Sequence, residues 1–269
     1  MKKKILAGIL TGILAVGLVG CGGSKGSDDK TITIGVSPVP HKEIVEVAVP
    51  LLEKEGYKVD IKEFDDYETP NTALQEGEID ANYFQHIAYL NTTNEEKGYD
   101  LTYTAEIHIE PMAVYSSKVK SISEIADGAT IAIPNDPSNE ARALRVLQGA
   151  GLIKVKDGEL ITVNDITENN KNLKFQEIEA AQLPRTLSDV DAAVINGNYA
   201  LQGGLDATKD GLYSEDINQE SLKDMRNILA VKKGNEDSEK IQALTKALTS
   251  QEVRDFINDK YKGTVVAVF

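Results

Sequence analysis

Strands and helices alternate along almost the whole chain, and this alternation limits the possible fold more than any other feature. The stretches "TITIGVSP" (31–38) and "YKVDIKEF" (57–64) alternate as strands do, and an amphipathic helical stretch separates them. Buried strands follow later at "ATIAIP" and "VDAAVIN", again with helical stretches between. We therefore predict an α/β protein with largely parallel sheets.

The length of this alternating part predicts two α/β lobes rather than one sheet, since about 240 residues exceed a typical single domain. We predict one lobe from 31–112 and 228–269 and a second from 113–227, with a long strand near 102–117 crossing between them. The stretches "ELITVNDI" and "NLKFQEIE" are predicted strands of the second lobe. In such a fold a ligand lies between the lobes, beyond the carboxyl ends of strands.

The N-terminus has the order of a secretory signal. A short basic region, "MKKK", precedes the 16-residue apolar run "ILAGILTGILAVGLVG", which is short and glycine-rich for a membrane span. The run ends at Cys21, the only cysteine, which cannot form an internal disulfide. We predict a signal peptide over 1–20 and a flexible, polar tether over 21–30; an ordinary signal peptide with a chance cysteine is the alternative.

Charge and motif content narrow the functional classes. The formal net charge of −14 argues against nucleic-acid binding, because phosphates repel an acidic protein. The chain lacks G-x-G-x-x-G, Walker, H-E-x-x-H and G-x-S-x-G motifs. Its three histidines, His41, His86 and His108, are dispersed, so a zinc site that uses them with Glu110 has no support from spacing. We predict no cofactor, no metal and no catalytic residues.

The stretch "IPNDPSNEAR" predicts an anion site. Asp136 can cap a helix that has Pro137 at its first position, which leaves free N–H groups at the helix start. Arg142 lies one turn later, and helical side chains lean toward the N-terminus. No carboxylate lies three or four residues away, and a guanidinium can hold a ligand carboxylate bidentately. A solvated arginine, or one paired with a distant acid, is the equal alternative, and Arg145 is the more solvated of the two.

Other candidate ligand groups follow predicted strands. Aromatic side chains crowd "DANYFQHIAYL", where Tyr83, Phe84, His86 and Tyr89 could wall an apolar slot, although core packing is the alternative for each ring. Asn196 follows "VDAAVI" and could serve both ends of a zwitterion, or simply form an Asn-Gly turn. Glu110 in "IHIEPM" could accept from a ligand amine, or be one more surface carboxylate.

The same stretches carry a resemblance. "PHKEIVE", "DANYFQHIAYL", "IHIEPMAVYS", "GATIAIPNDPSNEARAL", "LKFQEIEAAQLPR", "DAAVINGNYA" and "YKGTVVAVF" stand in the order found in the methionine-binding lipoproteins of the NlpA/MetQ family. The chain resembles that family over essentially its whole mature length. "LVGC" resembles the bacterial lipoprotein processing motif, in which cleavage precedes the cysteine and the cysteine is lipidated.

The resemblance implies a fold, a role and a site. The fold is the two-lobed periplasmic-binding-protein fold (type II-like), which closes on its ligand by hinge motion. The role is capture of methionine, as the L- or the D-enantiomer, for an ABC permease and its ATPase, by a monomer anchored through lipidated Cys21 on the extracytoplasmic face of the cell membrane. Arg142 would hold the ligand carboxylate, with Asn139 and Asn196 completing the polar end. The side-chain end and its surroundings would consist of Tyr67, Tyr83, Phe84, His86, Glu110 and Tyr199.

Alternatives remain at this point. Within the binding class, a methionine-containing dipeptide or another small amino acid is the closest competitor. An extracytoplasmic enzyme, or an adhesive surface lipoprotein without a small ligand, are the competitors from other classes. Turnover of an amino-acid ester or peptide would favour the first of these, and a cleft that stays empty and rigid in the presence of amino acids would favour the second.

Overall fold

Two mixed β-sheets and a small two-stranded sheet, with helices packed against them, form the part of the chain that the structure describes. The structure is a computed structural model and describes residues 30–269. The predicted signal peptide over 1–20, the lipidation predicted at Cys21 and all but the last residue of the tether predicted over 21–30 lie outside the described residues.

Most elements lie where the sequence predicts them. The strands within 30–269 are β1 Thr31–Val36, β2 Lys58–Glu63, β3 Ala81–Tyr83, β4 Leu101–Ile109, β5 Ala113–Tyr115, β6 Thr130–Pro134, β7 Lys154–Val155, β8 Ile166–Glu168, β9 Lys174–Ile178, β10 Ala192–Ile195, β11 Tyr213–Ser214, β12 Asn227–Lys232 and β13 Val266–Ala267. The α-helices in the same range are α1 Glu43–Lys54, α2 Thr69–Glu76, α3 Ile87–Lys97, α4 Pro137–Gly149, α5 Leu183–Thr186, α6 Gly197–Gln202, α7 Glu239–Leu248 and α8 Gln251–Tyr261.

Sheet topology gives a two-lobed molecule. The first sheet has the order β13-β4-β12-β3-β1-β2 and takes its strands from both ends of the described chain. The second has the order β11-β5-β10-β6-β9 and takes its strands from the middle. The chain crosses between the sheets after β4 and returns after β11, so the predicted two-lobed α/β fold is confirmed. The boundaries 31–112 with 228–269, and 113–227, stay a prediction.

The sheets are parallel only in part. β1 pairs in parallel with β2 and β3, and β6 pairs in parallel with β9 and β10. The strands next to the two crossings, β4, β5 and β12, pair antiparallel, as do β11 and β13. The prediction of largely parallel sheets therefore holds for the strands joined by helices. It fails where the chain passes between lobes, because β12 in the first sheet and β5 in the second run against the parallel strands and so pair antiparallel on both sides.

Each lobe has its own apolar core. In the first lobe, α1 buries a stripe with helical spacing against the sheet, formed by Ile44, Val45, Ala48 and Leu52. In the second, β6 and α4 pack together through Ile131, Ile133, Ala141 and Leu144. Full burial of one such large side chain stabilises the fold by about 1.5–3 kcal/mol. The two cores hold the strands rigidly, so the residues after the strand ends have fixed positions.

One predicted strand is absent, and the turn left as an alternative at residue 196 does not form. The strand predicted over "ELITVNDI" is largely a loop and a 3₁₀ turn, Val163–Asp165, because Thr162 and Asp165 form a reciprocal capping box that stops strand pairing. The Asn-Gly turn at residue 196 instead opens helix α6, with Asn196 as its N-cap.

Within residues 30–269, no helix combines the length and the apolar character needed to cross a membrane.

Candidate functional site

A buried polar cavity lies between the two lobes, where several strands end. Its lining comes from both sheets and from the crossing segments: Tyr67, Phe84, Gln85, His86, Tyr89, Glu110, Asn139, Arg142, Asn196, Gly197, Asn198 and Asn227. Most of these residues follow the carboxyl ends of β2, β3, β4, β6 and β10, which is where ligands bind in such sheets. The cavity holds about 20 Å³ of free space, room for about one water molecule, so a larger guest requires its walls to move apart.

The start of α4 is built as the sequence predicts. Asp136 is the N-cap and accepts from the backbone N–H of Asn139 at 3.0 Å, and Pro137 stands at the first position. Burial raises the pKa of the Asp136 carboxyl, and its bonds to Asn139 and Ser138 act against that rise. The side-chain amide of Asn139 also donates to Asp136, at 2.9 and 3.0 Å. The cap therefore fixes the Asn139 side chain as well as the helix.

Asn139 joins the two lobes across the cavity. Its Oδ1 accepts from Nε2 of His86 at 3.1 Å and from Nδ2 of Asn196 at 2.6 Å. His86 belongs to the first sheet's side of the cavity, whereas Asn139 and Asn196 belong to the second's. Since both polar atoms of the Asn139 amide are engaged, its role in this structure is to hold His86 and Asn196 in place.

Arg142 is buried beside the cavity and already has an acidic partner. Its Nη2 lies 2.7 Å from Oε2 of Glu215, and its Nε lies 3.1 Å from Oε1. The two side chains are only 5% and 8% exposed. Nη2 also donates to the backbone carbonyl of Glu110 at 2.8 Å. Of the two alternatives left open by the sequence, the pairing with a distant acid is therefore present.

The edge of the Arg142 guanidinium that could hold a ligand carboxylate bidentately is occupied in this structure. Glu215 takes the Nε–Nη2 edge of Arg142, and within residues 30–269 no hydrogen bond engages Nη1. One guanidinium nitrogen, Nη1, is therefore left to bind a ligand, instead of a fork of two. Arg145, one turn later, is exposed and donates to the backbone carbonyls of Gly158 and Glu159, so it is the more solvated of the two, as predicted.

Glu110 is the acidic residue of the cavity lining. His108 Nε2 donates to its Oε1 at 2.6 Å, and the backbone N–H of Asn198 donates to the same carboxylate. Burial raises the pKa of Glu110, and the nearby His41 and Arg142 act against the rise. Glu110 also packs on Gly197, where an added Cβ would lie 2.5 Å from the Glu110 Cβ. Glycine is therefore required there for α6 to approach the crossing segment.

The structure brings together two of the histidines that are dispersed in the sequence. His41, His108 and Glu110 are buried, and one ligand-type atom from each lies within 4.8 Å of the others. Such a set could in principle hold a metal ion. Each atom already has a hydrogen-bond role, however: His41 Nε2 donates to Asn227 at 2.9 Å, and Tyr83 donates to His108 Nδ1. These contacts make the set a support beneath Glu110, although the other ring nitrogen of His41, Nδ1, is buried without a partner among residues 30–269.

Three aromatic rings form one wall of the cavity. The rings of Tyr67 and Phe84 have centroids 5.7 Å apart, and Tyr89 lies 5.6 Å from Tyr67 and 6.1 Å from Phe84. Two candidate rings lie outside the lining. Tyr83 faces the buried histidines, and Tyr199 packs behind Tyr67 at 4.7 Å. Of the rings predicted from "DANYFQHIAYL" to wall an apolar slot, Phe84 and Tyr89 thus line the cavity, together with Tyr67.

Two buried amide atoms at the cavity have no partner. Among residues 30–269 these are Oδ1 of Asn196, an acceptor, and Nδ2 of Asn198, a donor. Buried polar atoms are normally hydrogen-bonded, so each orphan requires an explanation. Asn198 was missed by the sequence reading, although its spacing of two from Asn196 was a usable signal. Gln85 and Asn227 were also missed, since nothing in their local sequence sets them apart.

Buried histidines make folding stability depend on pH. Burial, followed by the charge of Arg142, lowers the pKa of His86 from 6.5 to about 3. The unfolded chain therefore binds more protons below pH 6.5, and this contribution to stability is lost as pH falls. We expect His86→Asn, which can still cap α3, to reduce the pH dependence of the unfolding free energy by about 1.4 kcal/mol per pH unit between pH 6 and 4. Urea unfolding at several pH values measures this, and parallel curves for the two proteins would contradict it.

Burial also lowers the pKa of His41 to about 4 and that of His108 to about 3. These two shifts act in the same direction as that of His86. The raised pKa values of Glu110 and Asp136 act in the opposite direction, because the folded state then binds more protons. Wild type and His86→Asn share these four groups, so their contributions cancel when the two proteins are compared.

A family model and known proteins match the chain over nearly its whole length. A sequence model of the NlpA lipoprotein family matches residues 32–269. The membrane lipoprotein TpN32 of Treponema pallidum is 41% identical over 272 residues, which cover 99% of each chain. The D-methionine-binding lipoprotein MetQ of Escherichia coli strain K12 is 42% identical over 270 residues, which cover 98% of this chain and 97% of the relative.

A solved structure with bound methionine is similar in fold. It is a nutrient-binding protein from Burkholderia cenocepacia bound to methionine, 45% identical, with a TM-score of 0.84. The match covers 88% of this chain and all of the other. The shared fold therefore extends over both sheets and the cavity between them.

Proposed function

Because the chain belongs to the NlpA lipoprotein family, we propose that it is a solute-binding protein that captures methionine between its lobes and delivers it to an ABC importer. A relative from Escherichia coli is named a D-methionine-binding lipoprotein, and a similar structure from Burkholderia cenocepacia is bound to methionine. The role is binding rather than catalysis.

One observation carries the proposal: the cavity has unpaired buried polar atoms of both kinds beside a buried cation. Oδ1 of Asn196 can accept from an ammonium group, and Nδ2 of Asn198 can donate to a carboxylate. Nη1 of Arg142 adds a charged donor. An amino-acid zwitterion supplies a partner for each of these atoms, whereas a purely apolar or purely anionic guest leaves at least one unpaired.

The remaining lining suits the rest of the ligand. Glu110 offers a second acceptor for the ammonium group, held in place by His108. Tyr67, Phe84 and Tyr89 offer ring faces and edges for the side chain. A thioether is polarizable and packs well against aromatic rings. The site therefore has a polar end for the backbone atoms of methionine and an aromatic end for its side chain.

Binding in this site involves lobe movement. The free space in the cavity is about 20 Å³, so methionine enters when the lobes part and is enclosed when they close. Closure removes water from the charged contacts and strengthens them, but part of the contact energy is spent on closure and ordering. We expect a dissociation constant below about 1 µM, that is, about −8 to −10 kcal/mol.

The wider setting of the protein follows from the same proposal. Cleavage before Cys21 and lipidation of its thiol anchor the mature protein to the outside of the cell membrane. The tether after Cys21 lets the folded part reach an ABC permease driven by its ATPase. The protein acts as a monomer, with one methionine site between its lobes.

Calorimetry on the mature protein tests the proposal. L-methionine, D-methionine, a methionine-containing dipeptide and leucine are titrated separately, and native mass spectrometry identifies any ligand that co-purifies. We expect at least one methionine enantiomer to bind below about 1 µM and leucine to bind at least tenfold more weakly. Tight binding of the dipeptide alone would mean that the ligand of this site is a dipeptide rather than methionine. If none of these ligands bound, the proposal would be rejected.

A further inference from the structure

We propose that Glu215 is a positioning residue for ligand binding, which orients Arg142 so that Nη1 is the nitrogen presented to the ligand carboxylate. This inference rests on the proposed function. Glu215 is not a member of the cavity lining; it lines a separate space of about 490 Å³, which Arg142 also lines. It therefore acts on the ligand through the arginine rather than by touching it.

The contacts fix the guanidinium plane from two directions. The Glu215 carboxylate holds Nε and Nη2, at distances of 2.7–3.2 Å. The carbonyl of Glu110 holds Nη2 from the opposite crossing segment, at 2.8 Å. A free arginine side chain loses about 2 kcal/mol of rotamer entropy when it is ordered. Because Arg142 is already ordered, the ligand does not bear that cost when it binds.

Glu215 is itself fixed by the crossing between the lobes. The backbone N–H of Met112 donates to its Oε2 at 2.8 Å, and its own N–H donates to the carbonyl of Met112 at 3.1 Å. Met112 lies in the segment where the chain passes from β4 to β5, and Glu215 follows β11 on the return. Glu215 therefore links both crossing segments to the arginine beside the ligand cavity.

Two effects of Glu215 on the ligand oppose each other. Its negative charge weakens the attraction between Arg142 and a carboxylate, whereas its hydrogen bonds orient the guanidinium and compensate a buried charge. A buried cation without a partner loses several kcal/mol of hydration. Both side chains are almost fully buried, so orientation and compensation are the larger effects. Removal of the carboxylate should therefore weaken methionine binding.

The test uses two ligands that differ only at the carboxylate. Methionine and methioninol, in which a hydroxymethyl group replaces the carboxylate, are titrated against the mature wild-type protein and Glu215→Gln. We expect Glu215→Gln to weaken methionine binding at least tenfold and methioninol binding less than threefold. Glu159→Gln is the matched control, because Glu159 is an exposed carboxylate that lines the same outer space without contacting Arg142, and it should leave both affinities within twofold.

Each other outcome is decisive. An equal loss for both ligands would mean that Glu215 only supports the fold, and tighter methionine binding would mean that it competes with the ligand; either result overturns the proposal. If methioninol binds too weakly to measure, Glu215→Gln is compared in an Arg142→Met background, where we expect a change of less than twofold and where a tenfold change would overturn the proposal. Failure of the wild-type protein to bind methionine would instead reject the proposed function.

Discussion

Arg142→Ala will weaken methionine binding by at least about 2 kcal/mol, or about 30-fold. The substitution removes the buried cation of the cavity, so a ligand carboxylate would be enclosed without a charged partner. It also removes the nitrogen Nη1, which has no other hydrogen bond within residues 30–269. Calorimetric titration of the variant with methionine measures the loss directly.

The same substitution will also lower the stability of the fold, and the two effects can be separated. Without Arg142, the Glu215 carboxylate is left buried and unpaired, and breaking such a pair typically costs about 3–5 kcal/mol. Urea unfolding without ligand measures this loss, and the titration is run where the variant is fully folded. Arg145→Ala is the matched control, since Arg145 lies one turn later on α4 and is exposed. Arg145→Ala should leave the affinity for methionine within twofold of wild type. An unchanged affinity in Arg142→Ala would show that Arg142 does not bind the ligand.

Asn196→Ala will weaken methionine binding by about 1.4–3 kcal/mol, or about 10- to 150-fold. The variant loses the free acceptor Oδ1 and also the 2.6 Å bond from Nδ2 to Asn139. Asn139 then loses one of the two side-chain donors to its Oδ1, so the link from His86 to the second lobe weakens as well. Calorimetry, together with the thermal shift on adding methionine, measures the effect.

An exposed asparagine supplies the control for this prediction. Asn164 lies in the 3₁₀ turn Val163–Asp165, away from the cavity lining, and Asn164→Ala should keep the wild-type thermal shift. If Asn196→Ala kept that shift too, Asn196 would be only a helix cap for α6. A loss of the shift in both variants would point to a general effect of asparagine removal on the fold.

The sequence predicts the local elements of this protein well because their signals are local. Alternation in 31–38 and 57–64 gives β1 and β2, and Asp136 followed by Pro137 gives the start of α4. The same signals place Arg142 one turn inside a helix whose N-terminus lies at a strand end. Since strand ends gather at one edge of a sheet, the approximate position of the site could be predicted.

What the sequence does not predict depends on contacts between distant residues. Arg142 and Glu215 are 73 positions apart, and nothing in the intervening residues marks them as partners. His41 lies next to His108 only because the first sheet brings both beneath Glu110. The Asn-Gly pair at 196–197 favours a turn locally, yet tertiary packing against Glu110 makes it the start of α6.

A crystal structure of the mature protein grown with saturating methionine tests the central claim most directly. We predict methionine between the lobes, with a carboxylate oxygen within hydrogen-bond distance of Arg142 Nη1 and the thioether among the rings of Tyr67, Phe84 and Tyr89. Methionine bound elsewhere on the molecule, or a site between the lobes that stays without ligand at saturation, would contradict it.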